Sequence, residues 1–231
     1  KEKVEDILSR QDNIVIILNG IANNPTGYCL SDEEWQAAID VLKEAVKDET
    51  KKAILVPDVA YLDYSGEKEE CRKFFRLFGG LPKNILTVCA YTLSKGFTMY
   101  GQRMGAMIGI SSDMDVIKAF VDINQYASRA TWSNCNSAAQ NAMIRICRDD
   151  EKIKALDAER AKYFRLIQDR AAIFIPVTKS QAVCDYLEKE HVFMVPLKKG
   201  IRLAVCSVSK PKMAGLAHKL AIAIKEAGAE Q

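Results

Sequence analysis

The run Asn13–Leu18 is short, β-branched and apolar without alternation, which predicts a strand buried on both faces. It ends in a turn-rich segment, Asn19 to Gly27. From Ser31 the period changes: Trp35, Ala38, Ile39, Leu42 and Ala45 recur at helical spacing, and Ser31 with Glu34 forms a capping-box pattern at the helix start. Ala53 to Val56 predicts a second buried strand, closed by Pro57 and Asp58. Strand, helix, strand in this order predicts an α/β unit with a mainly parallel sheet.

Beyond it the pattern predicts a helix around Glu69 to Leu77, a strand at Ile85 to Cys89, a functional loop segment from Thr92 to Arg103, and a strand at Ala106 to Ile110. Helices follow at Met114 to Tyr126, Ser137 to Arg148 and, longer and more charged, Asp150 to Arg170. The remainder predicts a small α+β module. Its elements are a strand near Ala172 to Pro176, a helix at Ser180 to Lys189, strands at Val192 to Val195 and Ile201 to Cys206, and a closing helix from about Lys210. The domain expectation is residues 1–149 as the larger α/β part, 150–170 as a connecting helix and 171–231 as the small domain.

Composition narrows the class. A hydrophobic fraction of 48% supports a real core and excludes a disordered chain. Charge excludes another class: 33 basic and 30 acidic residues are interspersed, with a net +3, so neither a nucleic-acid footprint nor a membrane-surface patch is indicated. Seven scattered cysteines without CxxC spacing indicate neither a disulfide framework nor a zinc site, and fit a reducing cytosol. Lys1 to Arg10 has no signal-like apolar stretch, and no run approaches the roughly 20 apolar residues of a membrane helix. The expectation is a cytoplasmic protein.

Candidate chemistry centres on Lys95, in Ser94-Lys95-Gly96-Phe97 directly after a buried strand. In a partly dry pocket at a strand end, a lysine amine can condense with an aldehyde cofactor. Read alone, Lys95 is better explained as a surface charge and Asp58 as a turn or capping aspartate, and Asn24 can be a turn residue and Tyr61 core. Arg202, between Ile201 and Leu203, needs a partner if it is buried, or water if its strand lies at an edge.

Taken together, four separated segments change this reading: Asn24-Pro25-Thr26-Gly27, Pro57-Asp58-Val59-Ala60-Tyr61, Thr92-Leu93-Ser94-Lys95 with Gly101-Gln102-Arg103-Met104-Gly105, and Gly200-Ile201-Arg202-Leu203. In this order they resemble the class I/II, aspartate- and aromatic-type, pyridoxal-phosphate-dependent aminotransferases. The resemblance implies a PLP-transferase-like large domain, a mainly parallel sheet sandwiched by helices, plus a small C-terminal α+β domain. It implies pyridoxal 5'-phosphate held by Lys95 as a Schiff base, with the freed amine as general base.

The same resemblance places Asp58 beside the pyridine nitrogen, and Asn24 and Tyr61 at the cofactor's phenolic oxygen. Thr92, Ser94 and Arg103 match the phosphate-binding set, and Arg202 the arginine that grips the substrate α-carboxylate. Arg129, in Ser128–Asn134, falls where aspartate-type members place an arginine that crosses the dimer interface to a substrate side-chain carboxylate. No metal is implied.

The implied partners are amino-acid and 2-oxo-acid substrates and a second copy in a homodimer. A lyase using the same cofactor, and a cofactor-free dimerising module, are the alternatives. Two departures bear on them. Almost everything that precedes the Asn24 motif in the family is missing here, including the phosphate-cradling glycine turn, the ring-stacking aromatic and a tyrosine given to the neighbouring subunit. The stretch from Asp169 to Ile175 also lacks the glycine-bearing strand of the family. The expectation for the isolated chain is therefore weak cofactor retention and little activity.

Overall fold

The computed structural model describes residues 1–24, 26–168, 173–198, 200–203 and 215–229. These form two units, one of Lys1–Ala22 with Tyr28–Asp157, the other of Asn23–Gly27 with Ala158–Gln231.

The first unit is built on a four-stranded sheet in the order β1 (Asn13–Leu18), β2 (Lys52–Pro57), β3 (Ile85–Thr92), β4 (Gly105–Ile110). β1, β2 and β3 run parallel, with Ile14 opposite Ala53 and Ala53 opposite Ile85, while β4 is antiparallel to β3. The carboxyl ends of the three parallel strands therefore lie at one edge, where such sheets carry their sites. β3 runs on to Thr92, past the predicted end at Cys89, because β4 pairs with it from Thr87 to Thr92.

α2 (Asp32–Ala45) follows the predicted stripe. Its capping box is complete: the Glu34 N–H donates to Ser31 Oγ at 3.2 Å, and the Ser31 N–H donates to Glu34 Oε2 at 2.9 Å. Tyr28 Oη donates to the same carboxylate at 2.6 Å, and this bond, with that from Ser31, holds the Glu34 carboxyl below its ordinary range. Ser31→Ala is expected to cost about 1 kcal/mol, read as a lowered denaturation midpoint at unchanged slope.

Trp35, Ile39 and Leu42 of α2 bury against Ile14, Leu55, Phe74 and Phe78 in one core beneath the sheet. Two elements depart from the sequence expectation. The charged lead-in folds as α1 (Glu2–Arg10), because Val4, Ile7 and Leu8 make a narrow apolar stripe that packs on this core. The segment predicted as a helix near Glu69 is a 3₁₀ helix, Glu70–Phe78, which brings Phe74, Phe75 and Phe78 into one aromatic cluster.

β1 corrects a third expectation. Ile14 is buried at 4% exposure, but Val15 and Ile17 are 59% and 69% exposed. Alternate residues of a strand point to opposite faces, and only one face of β1 meets the helical layer. On the far side of the sheet, α4 (Met114–Thr131) lies against β4, close enough that a Cβ on Gly109 would meet Phe120 at 2.8 Å. α3 (Leu93–Gly96), α5 (Ser137–Cys147) and α6 (Asp150–Gln168) complete the helices of this stretch. The boundary between the units falls within α6.

The second unit holds a three-stranded antiparallel sheet in the order β5 (Ile173–Ile175), β7 (Gly200–Leu203), β6 (Val195–Leu197). α7 (Ser180–Lys189) and α8 (Leu216–Glu226) supply its core with Val183, Leu187, Leu220 and Ala223, closed by Ile201 of β7. β6 begins at Val195, where the sequence places a strand end, and the closing helix begins at Leu216 rather than near Lys210. Residues 169–172 and 204–214 lie outside the described residues.

Candidate active site

β1, β2 and β3 deliver the site at their carboxyl ends. Asp58 follows β2 and bridges to Ala90 of β3, with its N–H donating to Leu18 O at 2.9 Å. Its carboxylate is held from two sides: Asn19 Nδ2 donates to Oδ2 at 2.9 Å, and the Ala60 N–H donates to Oδ1 at 3.1 Å. Both oxygens have a neutral donor, so the group is oriented as well as solvated by the protein. Sequence reasoning missed Asn19, although an amide side chain directly after a buried strand is a signal for such a role.

Lys95 sits on α3, the single helical turn after β3. Thr92 caps it, with the Ser94 N–H donating to Thr92 Oγ1 at 3.2 Å, and the Thr92 hydroxyl donates to Met104 O at 3.5 Å. The Thr92 hydroxyl is thus engaged in shaping the turn. Ser94 is buried beside it. Lys95 Nζ lies 5.4 Å from the Tyr61 ring centroid and 4.7 Å from that of Tyr100. Both rings lie within cation–π reach of the amine. Among the described residues Lys95 has no carboxylate partner. Tyr100 is a second neighbour that sequence reasoning did not select.

Arg103 stands in the left-handed region at φ 51°, uncommon for a residue with a side chain, and its Nη1 donates to Tyr100 O at 2.8 Å. The guanidinium is exposed. Gly105 follows because a Cβ there would meet Tyr91 O at 2.5 Å, so the chain can return into β4 only as glycine. Asp58, Tyr61, Thr92, Ser94, Lys95 and Arg103 all belong to the first unit. Cys89, near them on β3, is buried, and burial pushes its thiol up to about 11, which keeps it protonated and out of nucleophilic chemistry.

Asn24 and Arg202 belong to the second unit, and Arg129 lies on α4 of the first. Asn24 is exposed in a turn that groups with the second unit and is organised by Asn23, whose Oδ1 accepts from the Thr26 N–H and hydroxyl; Pro25 is outside the described residues. Arg202 pairs with Phe174 on one side and Val195 on the other, so its strand is central and not an edge. Its side chain is outside the description. Arg129 is exposed on α4, donates to Ser133 Oγ, and lines an open cleft of about 530 Å³ with Asp122 and Asn134.

The model of the family described as aminotransferase class I and II matches residues 1–220. The chain belongs to this family. Within the aminotransferases it is 34% identical over 132 residues to aspartate aminotransferase P2, mitochondrial, of Lupinus angustifolius, a stretch covering 57% of this chain and 27% of that protein. It is 27% identical over 152 residues to the aromatic-amino-acid aminotransferase of Pseudomonas aeruginosa, covering 65% and 36%.

Among solved structures, an aminotransferase from Anaerococcus prevotii superposes with a TM-score of 0.92 at 36% identity, covering 96% of this chain and 59% of that one. The aromatic-amino-acid aminotransferase of Burkholderia pseudomallei, described as covalently bound to pyridoxal phosphate, gives 0.78 at 18% identity, covering 96% and 58%. The aminotransferase fold is thereby shown, and the chain spans less than two thirds of the length of each of these relatives.

Proposed function

We propose that this chain supplies the lysine-bearing part of a pyridoxal-phosphate-dependent aminotransferase that moves an amino group from an aspartate- or aromatic-type amino acid to a 2-oxo acid. The observation that carries the reading is Lys95: a lysine on a capped turn at the carboxyl ends of parallel strands, set between two tyrosine rings, with Asp58 held by Asn19 at the end of the neighbouring strand. The donor set fits the cofactor, with an amine for its aldehyde, a carboxylate for its ring nitrogen, and the Ser94 hydroxyl and Arg103 guanidinium for its phosphate.

When bound, the cofactor supplies an electron-withdrawing ring that stabilises negative charge at the substrate's α-carbon. The chain's own residues do the rest. The Lys95 amine would hold the cofactor by its aldehyde carbon and, when free, would move the proton at the substrate's α-carbon. Asp58 would keep a proton on the ring nitrogen, and the Asn19 and Ala60 bonds stop its carboxylate from turning away. By the resemblance to the family, the Tyr61 and Asn24 side chains would each donate to the phenolic oxygen. Thr92 shapes the turn, and its hydroxyl would join the phosphate set only by giving up its bond to Met104 O, while Arg202 would take the α-carboxylate in a forked pair.

Arg129 is assigned to a substrate's side-chain carboxylate across a homodimer interface, in a cytoplasmic enzyme. Residues 1–149 serve as the cofactor-binding part, 150–170 as the connection and 171–231 as the small domain. The test is direct: pyridoxal phosphate is added, the visible absorption band is followed, and borohydride fixes the adduct for peptide mapping. Mapping to Lys95 is expected. Label spread evenly over surface lysines would end the reading.

A further inference from the structure

We propose that Asp63 is a positioning residue for Lys95, whose buried carboxylate, locked by Arg72 and Tyr91, is the surface on which the lysine's turn is seated. The inference rests on the reading of Lys95 given above. Asp63 lies in the 3₁₀ turn Leu62–Tyr64, just past Tyr61, and its side chain is only 6% exposed. Arg72 Nη2 donates to Oδ1 at 2.6 Å, and Tyr91 Oη donates to Oδ2 at 2.7 Å. Arg72 is itself anchored, its Nη1 donating to Lys68 O at 2.8 Å.

The next contact is steric. A Cβ built on Gly96 would stand 2.1 Å from Asp63 Oδ2 and 2.5 Å from Tyr91 Oη. Gly96 directly follows Lys95, so the backbone of the lysine's turn lies on the Asp63–Tyr91 pair with no room for a side chain between them. Four pieces of chain meet here: the Leu62–Tyr64 turn, the Glu70–Phe78 3₁₀ helix, β3 and α3. A buried ion pair is a poor source of net stability, because desolvation offsets its attraction, but its directional bonds define a geometry. Arg72 already balances the Asp63 charge, so the consequence for Lys95 is the direction of its side chain. Misplacement of a reacting group by about 1 Å can cost roughly 10²-fold in rate.

The experiment uses pyridoxal phosphate as the probe aldehyde. The amine condenses with it, losing water, and borohydride then delivers hydride to the carbon of the new carbon–nitrogen double bond, leaving a stable secondary amine for mass spectrometry. Label at Lys95 is compared with label at the exposed Lys47 and Lys154 across pH, and melts by circular dichroism establish that each variant is folded. In the wild-type chain Lys95 is expected to label in preference. Asp63→Asn is expected to lower the Lys95-to-surface ratio on the order of 10-fold or more. Tyr91→Phe should act in the same direction by less, and it decides the matter if Asp63→Asn does not fold. No preference in the wild type overturns the role of Lys95, and this inference with it. Preference in the wild type that survives intact in the folded variants leaves Lys95 standing and overturns Asp63 alone.

Discussion

Lys95→Ala is expected to remove the proposed amino-group transfer almost completely, with a loss of roughly 10²- to 10⁴-fold from the missing proton transfer alone. The substitution deletes the amine between Tyr61 and Tyr100 while leaving the Thr92 cap and the buried Ser94 untouched. Lys95→Arg is the informative companion. It keeps a cation for the two rings, but a guanidinium stays protonated and cannot attack an aldehyde. Equal loss in both variants assigns the effect to chemistry and not to the local fold. The measurement is the absorbance change of the cofactor-loaded enzyme on adding an aspartate- or aromatic-type amino acid. A wild-type rate in either variant would remove Lys95 from the reaction.

Trp35→Ala is expected to cost about 3–5 kcal/mol of stability, a large part of the roughly 5–15 kcal/mol that holds a typical domain together. Trp35 is fully buried, stacked on Phe74 at 5.2 Å and edge-on to Phe78 at 5.9 Å, so truncation empties the middle of the core under β1 and β2. At roughly 2–4 °C per kcal/mol for a chain of this size, the melting temperature should fall by about 6–20 °C. Trp35→Phe keeps a ring for both contacts and should cost distinctly less. Equal midpoints for wild type and Trp35→Ala in chemical denaturation would show that the aromatic cluster does not carry the core. The effect reaches the site as well, because the same core supports the strands whose ends hold Asn19 and Asp58.

Local features were legible in the sequence because their causes are local. The period of Trp35, Ile39 and Leu42, with the Ser31 cap, defines α2 without reference to anything distant. The motif residues Asp58, Tyr61, Lys95 and Arg103 could be chosen from spacing and resemblance together, and the family match agrees with that resemblance. The β-branched run of β1 announced a strand, but not that its second face would be open at Val15 and Ile17. The short stripe of α1 and the 3₁₀ winding of Glu70–Phe78 were hidden too, since each is stabilised by what it packs against and not by its own propensity.

By itself, then, the sequence determined the α/β class, the order of most elements and the residues with chemistry to offer. Only the tertiary structure decided that β4 returns antiparallel to β3, that Arg202 lies on a central strand, and that Asn19 orients Asp58. It alone joined Asp63 to Tyr91 and pressed both against Gly96. The reason is physical: Asn19 meets Asp58 across 39 residues, and Asp63 meets Tyr91 across 28. Contacts of that separation are set by the packing of whole strands and helices, and no local periodicity encodes them.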